Sequence, residues 1–499
     1  MVVETTVEKK PTYEELFFQN QKLKKENDFL LRLIFGEKRE RFVPEQQDNQ
    51  LSILVEQQPT EPAATEQISY TRRKPQKKQK KHPIRQPIPD HIPRHDIVIE
   101  PDEDVSGLKK IGEEVTEELE IEPPKLYVNR YIRPKYARPK DEGVVIASLP
   151  SRPIEKGIAG PGLIAHTLIS KYVDHLPLYR QIQQHKRQGV VIADSTINGW
   201  KQAGYELILP LVHRLRDQVL NNSYLMVDET PIKVLDPGLK GKTHKGFYWV
   251  YYDPPGRQVF FDYQRGRDQS GPKKHLENFA GFLQTDGYKA YDGFAARKEI
   301  TLVGCMAHAR RYFFDARKND PDRSEWMLLQ LQQLYNIERY ARDNQLSFDR
   351  RHEERQKRAV PIMNEIKTWL DENVYAVLPE SAIGKAFHYM LNQWPRLENY
   401  LLNGRVEIDN NIVENAIRPI ALGRKNYLFA GSHNGAEQAA AIYTLVANAK
   451  LQQVEPFAYL RDVLKRISDH PYKDIDQLLP KNWKDFYTNL SINPLNRKV

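Results

Sequence analysis

SYLMVDETPIKVL, residues 223–235, alternates apolar and polar side chains from Tyr224 to Leu235, the two-residue period of a β-strand. One acid, Asp228, follows directly on the apolar run Leu225-Met226-Val227. An ionised carboxylate is rarely found in such a run unless it is paired or sits on a metal. Downstream, GFYWVYYDPPGRQVFFDYQ (246–264) predicts a hairpin, with aromatic and β-branched runs on either side of Asp253-Pro254-Pro255-Gly256. A polar helical piece follows near residues 272–279. FLQTD (282–286) reads as a short strand ending at Asp286, with Gly287 next. A helix over 288–297, the strand TLVGCMA (301–307) and the helix HARRYFFDARK (308–318) complete the run. The order β-β-β-α-β-α-β-α predicts an α/β, ribonuclease-H-like sheet, and strand ends in α/β sheets are where sites collect.

A third acid lies far along the chain. DNNIVENAIRPIALGRKNYLF (409–429) opens with one acid and two amides, then places Glu414 among apolar residues on a predicted helix. Asp409 is expected to cap that helix, with Asn410 and Asn411 in its first turn. Asn410 and Arg418 lie one turn from Glu414 on either side. Pro419 is expected to end or kink the helix, leaving Arg424 and Lys425 beyond it. Any one of these acids alone reads as a surface group or a cap. Together, three carboxylates on two strands and a helix are what two hard divalent ions such as Mg²⁺ need.

The totals narrow the function classes. The chain has 499 residues, enough for roughly two to four domains. Hydrophobic residues make up 40% and mean hydropathy is −0.68. No apolar run reaches the roughly 18 residues of a membrane helix, and MVVETTVEKK lacks the apolar core of a signal peptide, so a cytoplasmic protein with no membrane partner is expected. A single cysteine, Cys305, excludes an intrachain disulfide and a multi-cysteine zinc site. Residues 71–86, TRRKPQKKQKKHPIRQ, hold eight of the net +9 charges, so basicity is concentrated in one segment. There Arg72, Arg73, Lys74, Lys77 and Lys78 suit non-specific phosphate contact or a solubilising tether.

The remaining sequence divides as follows. Residues 1–43 carry Leu16, Leu23 and Leu30 seven apart, with Tyr13, Asn20, Asn27 and Ile34 at the other seam position. They predict a short parallel coiled coil, or a lone amphipathic helix docking on the body. Residues 44–93 read as a basic disordered linker. Residues 94–150 alternate like a small β module. Residues 151–221 are helical, with Gly189 separating two helices and Asp194 or Ser195 as a cap. Ser195, Asn198 and Lys201 would face a DNA groove if this is a helix-turn-helix; the alternative is a plain helical hairpin. Residues 222–320 and 404–450 form the two parts of the sheet domain. Residues 321–403 are a charged helical insertion, and 451–499 end the chain with the helix EPFAYLRDVLKRI.

Four motifs carry a resemblance, VDET (227–230), QTDGYKAY (284–291), CMAHARR (305–311) and, most specific, DNNIVENAIRPIALGRKNYLFAGS (409–432), and FGEKRERF (35–42) is a further stretch of the same kind. With IGEEVTEELEIEP (111–123), RYIRPKYA (130–137) and HLPLYRQ (175–181), they closely resemble transposases of the insertion sequence 66 family over nearly the whole chain. The resemblance implies a DDE-type DNA transposase, cleaving and joining strands at the ends of an insertion sequence. Asp228, Asp286 and Glu414 would be its catalytic acids and the ligands of two Mg²⁺ ions, which Mn²⁺ can replace. Cys305-x-x-His308 would support the site with Asn410. Arg310, Arg311, Arg418, Arg424 and Lys425 would contact phosphates. The partners implied are terminal inverted repeats and target DNA, a homodimer or higher synaptic complex, and accessory proteins of the same element. The zinc-binding cysteines common around 103–143 in the family are missing, so no zinc is expected. A catalytically inactive, domesticated DNA-binding protein and a structure-selective nuclease on the same fold are the alternatives.

Overall fold

The computed structural model describes residues 126–137, 144–236, 238 and 242–483. The expected coiled coil, the basic linker with Arg72, Arg73, Lys74, Lys77 and Lys78, and most of the β module lie outside the described residues. What is described of that module is a two-stranded antiparallel ribbon, β1 (Lys135–Ala137) with β2 (Val144–Ile146).

The centre is a five-stranded mixed sheet in the order β5-β4-β3-β6-β7. β3 (Tyr224–Leu235), β4 (Thr243–Asp253) and β5 (Gln258–Gln264) form an antiparallel meander. β6 (Gly281–Gln284) and β7 (Ile300–Val303) add parallel to β3. β3 has the bounds its alternation predicts. Its Pro231 is tolerated because pairing with β6 stops at Met226 and the bridge to Ala430 begins only at Val234, so no strand asks for its amide in between. β6 ends at Gln284, two residues short of the expected Asp286, because Gly287 turns the chain with φ 88.

Helices cover both faces. α1 (Pro161–Tyr172), α2 (Leu178–Arg187) and α3 (Asp194–Leu220) precede the sheet. The expected side-chain cap on α3 is not formed: Ala193 is the N-cap, and Asp194 already begins the helix. After β5 come α4 (Ser270–Leu276), a 3₁₀ segment (Lys289–Ala296) where the sequence predicts a helix, and α5 (Met306–Ala316). Residues 321–402 are helical as predicted. α6 (Pro321–Asp343), α7 (Phe348–Glu354), a π turn (Arg355–Ala359), α8 (Val360–Asn373) and α9 (Ala382–Leu397) fill them. α10 (Asn411–Tyr427) carries Glu414, and α11 (His433–Leu451) and α12 (Pro456–Arg466) follow.

α11 lies against the open edge of β5. Thr444 Oγ1 accepts from Phe261 N at 3.0 Å, and Asn448 Oδ1 accepts from Val259 N at 3.1 Å. Side chains of a helix thus satisfy edge amides that would otherwise be free to pair with another strand. The core on this side is aromatic, with the buried Tyr248 and Phe261 packing against Tyr443 of α11.

Candidate active site

Two acids meet through strand register. β3 and β6 pair in parallel up to Met226 and Gln284, and Asp228 on β3 and Asp286 just past the end of β6 each lie two residues beyond that pair. Such strands run about 4.8 Å apart. The Asp228 carboxylate accepts from Glu229 N at 2.7 Å, and that of Asp286 accepts from Tyr288 N at 2.8 Å. Tyr389, from the helical insertion, donates its hydroxyl to the Asp286 carbonyl at 3.2 Å. Burial, and then the charges of Asp286, Glu229 and Glu414, push the Asp228 carboxyl up to about 8. Like charges crowded in a half-buried place are the cause.

The third acid is brought in by a buried polar chain. Tyr224 on β3 donates to Gln284 Oε1 at 2.6 Å and accepts from Glu407 N at 2.9 Å. Gln284 in turn donates to the carbonyls of Gly304 and Glu407, both at 3.0 Å. Met306 N donates to Ile408 O at 3.1 Å. The segment before α10 is therefore fixed to the ends of β6 and β7. Asp409 does not occupy the N-cap, which falls on Asn410. Its carboxylate still takes the amide of Asn411 at 3.1 Å, and a hydroxyl bond from Tyr335 at 2.8 Å.

α10 runs through Pro419 to Tyr427, correcting the expected break. The ring removes one helical hydrogen bond, but packing of Val413, Ile417 and Ile420 holds the rod together. Glu414 sits in its first turn, half-buried. Its carboxyl is raised by burial, partly opposed by Arg311, and raised again by Asp409 and Asp286.

Cys305 and His308 flank this acid. Cys305 is buried at the head of α5, and its Sγ accepts from Asn410 N at 3.4 Å. Burial foremost pushes its thiol well up, so it stays protonated. His308 Nε2 lies 3.8 Å from Glu414. Burial and then Arg311 lower the His308 pKa. The Asn410 side chain is fully buried, with neither amide atom bonded among the described residues.

Sequence reading missed the clamp beneath the acids. Glu229 points to the other face of β3 and is buried; it accepts from Arg267 Nε at 2.7 Å and from Tyr291 at 3.0 Å. Period-two alternation puts Glu229 opposite Asp228, which was the available signal.

The basic residues divide. Arg311 is exposed beside Glu414 and His308, close enough to shift both. Arg310 is half-buried, its pKa lowered by burial. Arg424 donates to Thr230 Oγ1 at 2.8 Å and Pro231 O at 2.6 Å, so it ties α10 to β3 rather than standing free beyond a kink. Arg418 and Lys425 are exposed. At the start of α3, Ser195 and Asn198 are exposed, while Lys201 is half-buried.

Among the described residues, no three His, Cys, Asp or Glu side chains are gathered closely enough to hold one ion. Asp286 and Glu414 are near enough for their charges to raise the Asp228 carboxyl, and Glu414 stands beside His308. An all-oxygen, mutually repelling set suits a hard divalent cation, which would relieve the repulsion.

Comparison with known proteins extends the picture. Residues 156–438 match the Transposase IS66 family, and 444–481 its C-terminal element. Residues 22–97 match the Transposase C of IS166 homeodomain. Residues 104–138 match the zinc-finger binding domain of transposase IS66. This last match corrects the expectation that zinc plays no part: that expectation rested on counting cysteines, whereas the segment retains enough of the module's pattern to be matched without them. The chain is also similar to uncharacterized proteins of Sinorhizobium fredii (strain NBRC 101917 / NGR234). It is 35% identical to y4jD over 80% of this chain and 81% of that one, and 35% identical to y4qI over 79% and 76%. It is 33% identical to y4hP over 81% and 78%. No helix among the described residues is long and apolar enough to cross a membrane. With more than half its length matched by that one family, the chain belongs to the IS66 family of transposases.

Proposed function

We propose that the protein cuts and joins DNA at the ends of an insertion sequence, using Asp228, Asp286 and Glu414 on a ribonuclease-H-like sheet. The observation that supports this reading is that Asp228 and Asp286 follow the last parallel pair of β3 and β6 by two residues each, with the charges of Asp286 and Glu414 both acting on the Asp228 carboxyl. The strand order β5-β4-β3-β6-β7, an antiparallel meander extended by two parallel strands, supports the fold assignment. Residues 222–320 and 404–450 supply the catalytic domain, and 321–403 the insertion that buttresses it.

The three carboxylates would hold divalent cations, Mg²⁺ foremost. When bound, these activate an attacking oxygen and stabilise the leaving one in phosphodiester chemistry. The chain's own residues position and neutralise. Arg311 is an exposed cation whose charge acts on Glu414, and it is suited to a phosphate. His308, its pKa lowered by burial and Arg311, stands 3.8 Å from Glu414 as a neutral imidazole that adds no charge to the site. The Glu229–Arg267–Tyr291 clamp fixes β3 under Asp228, and the Tyr224–Gln284–Glu407 chain sets the approach to α10. Target DNA and the element's ends are the proposed substrates, brought together by two or more copies of the chain.

The test is strand transfer on DNA carrying the element's ends, in Mg²⁺ against chelator, with Asp228→Asn as control. Joined product that needs Mg²⁺ and vanishes in the variant supports the reading. Cutting without joining would make the protein a nuclease; DNA binding with neither would make it a binding protein. Joining that survives Asp228→Asn would overturn the assignment of the acids.

A further inference from the structure

Two ammonium groups converge where the helices before the sheet meet the far end of the Glu414 helix. Lys171 closes α1, its Nζ 5.6 Å from the ring centre of Tyr172 and 5.7 Å from that of Tyr427, the last residue of α10. Lys201, on α3, has its Nζ 4.0 Å from where a Cβ on Gly435 would lie, in the first turn of α11. Neither lysine makes a hydrogen bond or ion pair among the described residues, and both are half-buried. No acid is among the charges that act on either lysine; Asp174 acts on His175, and Glu437 on Tyr205 and Tyr263.

Such a pair is costly. Burial, then the charge of Lys201, pulls the Lys171 ammonium down to about 8, and burial lowers Lys201 as well. The start of α11 adds the positive end of a 19-residue helix, where Ser432 Oγ accepts from Gly435 N at 3.0 Å. All three features favour an anion at one place. The anion is extended rather than small, because exposed cations continue along α10. Lys425 and Arg418 lie between this corner and Glu414, over roughly 20 Å at about 1.5 Å per residue.

We propose that Lys171 and Lys201 form a subsite for the DNA phosphodiester backbone, at the end of α10 away from the acids. The location relative to the acids rests on the transposase reading; the binding itself does not. Phosphate contacts of this kind fix the position of a duplex without reading its sequence.

The experiment is salt-dependent binding of a fluorescein-labelled 30-base-pair duplex of arbitrary sequence to the full chain, without divalent ions, in the Asp228→Asn background. Removing one phosphate-neutralising cation should flatten the slope of log K against log salt by about 0.9. Lys171→Met and Lys201→Met keep the aliphatic stem and should each flatten it by that amount, while Lys171→Arg should restore the parent slope. The basic segment at 71–86 contributes equally to every variant. Slopes unchanged in both Met variants, with folding verified by circular dichroism, would overturn the subsite. Should Lys171→Met not fold, Lys201→Met alone carries the test. The acids are already disabled in this background, so a failure of the catalytic reading leaves this result standing.

Discussion

Asp228 on β3 and Asp286 just beyond β6 each follow by two residues the pairing of Met226 with Gln284 across two parallel strands, and the charge of Asp286 acts on the Asp228 carboxyl. Neither strand's own sequence sets that register. Once set, it places one negative charge against another where water is partly excluded, and the Asp228 carboxyl rises to about 8. The folded state therefore carries a cost that a cation can remove.

Asp228→Asn should stabilise the chain in chelator while abolishing strand transfer. The ordinary carboxyl value is 3.8 and the folded value about 8. Between those pH values the folded chain holds a proton that the unfolded chain has released, so stability falls as pH rises through the window. At about 1.4 kcal/mol per unit, the asparagine variant should gain on the order of a few kcal/mol at pH 8 and little at pH 4. Urea unfolding at the two pH values checks both the sign and the window.

Mg²⁺ should raise the melting temperature of the parent chain and not that of Asp228→Asn. Binding to the folded state alone adds about 2.7 kcal/mol at a hundredfold excess over the dissociation constant. Equal shifts in both proteins would place the cation elsewhere.

Glu414→Gln keeps the shape of the first turn of α10 and removes a raised carboxyl. Fold and duplex binding should persist, while strand transfer falls by at least on the order of 10²-fold, the usual effect of deleting one electrostatic group at a reacting centre. Circular dichroism and anisotropy beside the activity assay separate the two effects.

Arg355→Met tests the insertion. Arg355 is fully buried. It donates to Glu338 at 2.8 Å, and to the carbonyls of Tyr400, Asn403 and Val406 at 2.7–2.8 Å. Removing it leaves Glu338 charged and buried with only Arg351, and frees the chain that leads to α10. Loss of about 3–5 kcal/mol is expected, measured by urea unfolding.

Gly281→Ala should cost more than an ordinary strand substitution. Gly281 has φ 128, and a Cβ there would lie 2.0 Å from Ser223 O, the carbonyl that accepts from Phe282 N at 2.8 Å. The methyl group would force β6 off β3 and carry Asp286 with it. Soluble yield and melting temperature should both drop, and residual strand transfer should fall further than in Arg355→Met.

Much of the fold is legible because its signals are local. Tyr224–Leu235 alternates, Asp253-Pro254-Pro255-Gly256 turns, and the charged stretch after 321 keeps a helical period. The misses are places where distant contacts outvote local ones. Pro419 marks a helix end by itself, yet α10 continues because its apolar face packs through the proline. Arg424 looks like a free cation in sequence, but the middle of β3 supplies Thr230 and Pro231 as acceptors. The zinc expectation failed for a related reason: cysteine count is one property of residues 104–138, and the family match rests on the pattern of the segment as a whole.

The sequence by itself determined the elements, their order and the residue types suited to the chemistry, since propensity, periodicity and turn residues act within a few positions. Only the tertiary structure decided which groups meet. Strand register set Asp228 beside Asp286, buried hydrogen bonds through Gln284 and Tyr224 set the path to Glu414, and helix packing brought Lys171 to Lys201. Each is a relationship between residues distant in the chain, set where water is partly excluded and charges therefore act on one another strongly.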